Sequence, residues 1–170
     1  DSLDIQDATS SVTLDGAVTT QTTLDINSGG TLTQNASVSA GSSLDYDAAT
    51  IGINNTITSG TTIDIDAVGL TTITEPGNID SGGAVTFGAD KSGELKTAAN
   101  IKTSDDDVTF TNKVTLSGGD AKVLIDTDSS AGNILFKSEV LTGGQSFTLD
   151  AGAAGNITAD KSITGGGAFT

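Results

Sequence analysis

The sequence predicts an all-β chain wound as a single-stranded parallel β-helix, a β-solenoid of about eight coils of 19–26 residues with three short strands in each. Two observations carry this expectation. First, an apolar-x-apolar triplet returns at Leu3/Ile5, Leu24/Ile26, Leu44/Tyr46, Ile63/Ile65, Val85/Phe87, Val108/Phe110 and Ile134/Phe136, with a degenerate eighth copy at Ile157/Ala159. The steps are 21, 20, 19, 22, 23, 26 and 23 residues, the period of a coil that buries its apolar face only against its neighbours. Second, 22 Gly, one Pro and six aromatic residues, with Ser, Thr, Asp and Asn filling much of the rest, leave few helix formers and many turn and strand residues.

The strands follow in order within each period. The third coil reads SLDYD, TIGIN and TITSG; the fourth TIDID, LTTIT and NIDSG; the sixth DVTFT, KVTLS and KVLID. Alternation marks each as a half-buried strand, and three per coil describe a triangular cross-section whose equivalent strands stack about 4.8 Å apart. Leu3, Leu24, Leu44, Ile63, Val85, Val108, Ile134 and Ile157 then form one inward column. Ile5, Ile26, Tyr46, Ile65, Phe87, Phe110 and Phe136 form the next, with three phenylalanines stacked in successive coils. A sandwich or barrel does not require one motif at a near-constant interval, and Asp15-Gly16 is the only hairpin-type pair. The last two coils are the closest copies: GNILFKSEVLTGGQSFTLDAG is followed by GNITADKSITGGGAFT, so Gly143-Gly144 returns as Gly165-Gly166 and Phe147 as Phe169.

Residues 1–170 thus read as one continuous solenoid segment, with shorter LDI-type coils over 1–83 and longer VTF/GNI-type coils over 84–170. Neither end shows a polar amphipathic cap. The expectation is part of a longer rod, or a unit whose ends meet identical units.

Composition narrows the function. A net charge of −15 and few aromatics point toward disorder, but short alternating apolar runs persist from end to end. Without Cys there is no disulfide and no thiolate. The sequence also has no His, Trp, Met or Arg, and seven Lys face nineteen Asp and three Glu. Phosphate backbones and anionic membranes call for basic stripes, so neither nucleic acid nor a membrane surface is an expected partner. No apolar run is long enough to span a bilayer.

Polysaccharide-active β-helices need a base in a groove, or carboxylates converging around a sugar. The one dense carboxylate run, Asp105, Asp106 and Asp107, reads as a solvated turn between coils, so catalysis is not expected. SGGA from Ser81, SGGD from Ser117 and TGGGA from Thr164 lack the Lys-Ser/Thr of a phosphate loop. They read as turns in which Gly supplies positive φ. Thr13, Thr33, Thr72, Thr109 and Thr115 are too scattered for an ice-ordering array.

With the repeat established, SDDDVTFTNKVTLSGGDAKVLIDTDSSAGNILFKSEV and the GNI repeats resemble the filamentous-haemagglutinin-like large secreted exoproteins of bacteria. The resemblance is best over 84–170. It implies a right-handed β-helix, export to the bacterial cell surface or beyond, and a structural or adhesive rod without catalysis. Adjoining repeats or identical subunits end to end, and a host or neighbouring-cell surface, are the partners it implies. The Asn-Pro motifs of that group's secretion domain have no counterpart. The alternative is a fibre subunit polymerising end to end through uncapped coils, since a heterologous contact that does not close makes a filament.

One pattern asks for chemistry. The same register that turns Ile63 and Ile65 inward puts Asp4, Asp25, Asp45 and Asp64 in one outward column, with Asn27, Asp47 and Asp66 at the next stacked position, read as a corner. Like charges about 4.8 Å apart repel by roughly 1 kcal/mol in water and several times that at an effective dielectric of 20. Such a column should bind cations, take up protons or splay. Calcium, which prefers six to eight oxygen ligands, is the candidate ion, although no calcium-binding nonapeptide or EF-hand loop is present. From Thr86 onward the column continues as Thr109, Leu135 and Thr158 and carries no charge.

Overall fold

A computed structural model describes residues 1–7, 9–118 and 122–170. Among them there is no helix, and all named strand pairs are parallel. The chain is a β-solenoid of about seven turns with three strands per coil, as its periodicity predicts. The eighth coil is partial: its third strand is represented by one parallel bridge, Phe147 to Phe169.

The first face is formed by Leu3–Asp7, the first parts of Leu24–Gln34 and Leu44–Ile53, then Ile63–Ala67, Val85–Phe87, Val108–Phe110, Ile134–Phe136 and Ile157–Ala159. The second face begins with Val12–Leu14 and continues through the second parts of the same two long strands, then Leu70–Ile73, Glu94–Thr97, Val114–Leu116, Val140–Leu141 and Ile163–Thr164. Because Leu24–Gln34 and Leu44–Ile53 run unbroken around the corner, these faces form one 14-stranded sheet. The third face is a separate 7-stranded sheet from Val18–Thr20 to Phe147–Asp150.

The register follows the predicted columns rung by rung. Leu24 pairs with Leu3 and Leu44, Ile63 with Leu44 and Val85, and Ile134 with Val108 and Ile157. Strict alternation puts Leu24, Leu44, Ile63, Val85, Val108 and Ile134 in a continuous core, with Leu3 packed against it and Ile157 exposed on the last rung; this core is the dominant source of stabilisation in a fold with no disulfide. Phe87, Phe110 and Phe136 stack, with centroids 5.2 and 4.8 Å apart and planes within 1° and 5° of parallel.

Two groups of small residues close the corner between the third face and the next coil. Gly41, Gly60 and Gly82 lie so close to the preceding rung that a Cβ would collide with the carbonyls of Gln21, Gly41 and Gly60 in turn. Close approach, and not positive φ, therefore explains the SGGA glycines, whereas Gly118, Gly165 and Gly167 do hold positive φ. Gly119 and Asp120 lie outside the described residues. Inside the same corner, Ser59 Oγ donates to the Thr62 carbonyl at 2.9 Å, Ser81 Oγ to that of Thr61 at 2.9 Å, and Thr127 Oγ1 to that of Gly132 at 2.8 Å. These inward hydroxyls spend their own donors on turn carbonyls and so enter the core paired, that of Thr62 accepting the Leu44 amide as well.

The Asn of GNI has a structural explanation. Asn133 donates from its backbone and side chain to Asp107 Oδ1 at 2.7 and 2.9 Å, and Asn156 repeats this on Asn133 Oδ1 at 3.0 and 3.3 Å. Asp105, with φ of 63°, receives the Ser130 amide at 2.7 Å, so the DDD run is a turn that bonds to the next coil.

Candidate cation site

The outward acidic columns are present in the predicted register. Asp4 pairs with Asp25, Asp25 with Asp45, and Asp45 with Asp64. The column then passes to Thr86, Thr109, Leu135 and Thr158. Beside it run Gln6, Asn27, Asp47 and Asp66. This second column lies within the strands and not at a corner, because the first-face strands of these coils extend to Ser28, Ala48 and Ala67.

The six aspartates do not share one environment. Asp4 and Asp45 are exposed, and Asp25, Asp47 and Asp64 are half-buried. Asp4 Oδ1 accepts the Gln6 amide at 2.7 Å. Asp66, expected in solvent, is only 3% exposed. The chain that leaves Phe87 folds over it, and the Asp90 amide donates to Asp66 Oδ2 at 2.9 Å. Lys91, the next residue, brings Nζ to 3.9 Å from Asp47 Oδ1. Asn112 of the following coil braces this roof by donating from Nδ2 to the Lys91 carbonyl at 2.6 Å.

Asp45, Asp47, Asp64 and Asp66 therefore make a two-by-two block on adjacent rungs, with Asp25 beyond its outer edge and Asp90 and Lys91 above it. Asp47 Oδ1, Asp64 Oδ1 and Asp66 Oδ1 are buried without a hydrogen-bond partner. Burial, followed by the charge of Asp66 and then Asp45, Asp90 and Asp47, pushes the Asp64 carboxyl up to about 6. Asp45 is likewise raised to about 6, by burial first and then by Asp47, Asp25, Asp66 and Asp90. Asp45 reaches solvent, but the stacked rungs on either side remove much of its hydration. Burial also raises Asp47, against the opposing pull of Lys91.

Among the described residues no three acidic, Cys or His side chains gather closely enough to hold a metal ion by themselves. Register brings the predicted ligands together in pairs, and the distal members Asp4 and Asp25 lie toward the open end of the ladder. Asp90 and Lys91 escape prediction because they come from the next coil's corner. Their local signal is that seven residues separate Phe87 from Leu95, against five between the paired positions Ile65 and Thr71.

Gln34 is a second feature the repeat does not announce. It occupies an inward slot between Leu14 and Ile53 and is completely buried. Its Nε2 donates to the carbonyls of Ala36, Asn55 and Thr56 at 2.9, 3.1 and 3.1 Å. Comparison with protein-family models, curated proteins and solved structures returned no match.

Proposed function

We propose that this chain is a rod segment of a secreted bacterial surface protein, acting as a structural or adhesive stalk without catalysis. The observation that carries the reading is the unbroken parallel stacking of first-face strands from Leu3–Asp7 to Ile157–Ala159 around one core. Eight such rungs, seven spacings of about 4.8 Å, extend the chain by roughly 34 Å along one axis. The resemblance of the VTF and GNI coils to filamentous-haemagglutinin-like exoproteins supports the surface location. The net charge of −15 suits a rod that stays dispersed outside the cell. Antibodies against the chain should label intact cells of the source bacterium. Labelling restricted to lysed cells would overturn the reading.

A second reading, a fibre subunit, is favoured by one feature. Ile157 and Phe169, on the last rung, are 46% and 55% exposed, and another stacked rung would cover them. Further coils of the same chain and a second copy are alternative sources of that rung. Sedimentation over a concentration series separates them, because only the second source yields concentration-dependent rods.

A further inference from the structure

We propose that the Asp45/Asp47/Asp64/Asp66 block under the 88–91 segment binds one divalent cation of the calcium class, held by carboxylates of two adjacent rungs and completed by water. The first support is charge balance. Asp45 pairs with Asp64 and Asp47 with Asp66 on adjacent rungs, with Asp90 folded over Asp66, and among the described residues the one ion pair these five aspartates make is Lys91 with Asp47 at 3.9 Å.

The second support is independent of the count of acids. Asp66 is more than nine-tenths buried, and one of its oxygens has no hydrogen-bond partner. Asp64 Oδ1, on a half-buried side chain, also lacks a hydrogen-bond partner, and Asp47 Oδ1 has none beyond the Lys91 ammonium at 3.9 Å. A buried carboxylate oxygen left unpaired is costly, and the Asp90 amide satisfies only the opposite oxygen of Asp66. Register sets Asp66 beside Asp47 on the adjacent rung and two residues along the strand from Asp64, which faces Asp45.

Ligand chemistry selects the ion. The donors are all carboxylate oxygens, the choice of a hard cation. Adjacent rungs about 4.8 Å apart suit the variable coordination of Ca²⁺ at 2.3–2.6 Å better than the strict octahedron of Mg²⁺ at 2.0–2.1 Å. The pairwise spacing leaves several positions to water, and this predicts a modest affinity. Lys91 is an internal competitor for the same oxygens, so removing its charge should tighten binding.

The sequence supplies its own reporter, because Tyr46 is the only tyrosine, there is no tryptophan, and its neighbours in the strand are Asp45 and Asp47. Terbium, a calcium-class probe, should show luminescence on tyrosine excitation that saturates at one ion and is displaced by Ca²⁺. The Asp64→Asn/Asp66→Asn variant relieves repulsion and should fold at least as well as the parent, as circular dichroism would show. Its affinity for Tb³⁺ should fall about tenfold or more, whereas Lys91→Gln should gain a few-fold. Absence of tyrosine-sensitised emission, emission that Ca²⁺ does not displace, or equal affinity in the double-Asn variant would overturn the proposal. So would a thermal melt at neutral pH that acid raises and Ca²⁺ leaves unmoved, since protons would then be the compensating charge.

Discussion

In coils two to four each first-face strand turns a pair of side chains past the leading aliphatic into the core: Ile26 with Ser28, Tyr46 with Ala48, Ile65 with Ala67. In coils five to seven one phenylalanine takes the place of the pair, and the strand ends there. The cross-section is filled either way, but the outer face differs. A five-residue pairing segment presents two outward positions per rung, and a three-residue strand presents one. The acidic block is a consequence of that extra length, since Asp47 and Asp66 have no counterpart beside Thr109 or Leu135.

The corners differ in the same sense. Three residues separate the third face from the next coil between Ala40 and Leu44, Ser59 and Ile63, and Ser81 and Val85, and there the stacked backbones admit only glycine at the first position. Between Thr103 and Val108 the corner has four residues, and Ser104 replaces glycine. Asp105 adopts the left-handed conformation that Asp tolerates better than most residues. The amino-terminal half is thus tightly wound and charged outside. The carboxy-terminal half is looser at its corners and held by aromatic stacking.

The largest expected effect breaks the carboxy-terminal half. Phe110→Ala empties the middle of the stack and should cost about 3–5 kcal/mol in urea unfolding. Next, Gly60→Ala drives a methyl group into the Gly41 carbonyl and should cost about 2–3 kcal/mol, whereas Ser104→Ala, at the equivalent place in the wider corner, should cost under about 1 kcal/mol. Thermal or urea melts of the two variants compare the corners directly.

The third prediction concerns pH. Asp45 and Asp64 are raised to about 6 from an ordinary value of 3.8, so the folded chain binds their protons more tightly than the unfolded chain. Stability from this source is fully present below about 4 and is lost as pH rises through 6. Lowering the pH from 7 to 5 should therefore stabilise the fold, by up to about 2 kcal/mol for the pair once solvent screening is discounted. The Asp64→Asn variant should show a smaller rise. Smallest is the corner ladder: Asn133→Ala removes two bonds to Asp107 and its acceptor for Asn156, at about 1 kcal/mol.

The coil period, the inward columns and the phenylalanine stack were legible because a stacked repeat converts sequence spacing directly into contact. Leu24 meets Leu44 for the same reason that the motif recurs. The outward register of Asp4, Asp25, Asp45 and Asp64 was legible on the same grounds. The burial of Asp66 was not, since a two-residue lengthening of the following corner covers it. Nor was the inward placement of Gln34, because alternation identifies a slot's direction but not that turn carbonyls of Ala36, Asn55 and Thr56 converge there to accept its amide. The glycines of SGGA were read as turn residues, but what demands them is the rung beneath.

The most direct test of this two-part account is amide hydrogen exchange followed segment by segment at pH 7 and pH 5, each corrected for intrinsic rates. Neighbouring coils contribute separately to solenoid stability, so the charge effect should stay local. The account predicts that protection rises on acidification in 24–28, 44–48 and 63–67, while 108–110 and 134–136 change little. Equal gains in both halves, or a loss of protection in the acidic strands, would contradict it.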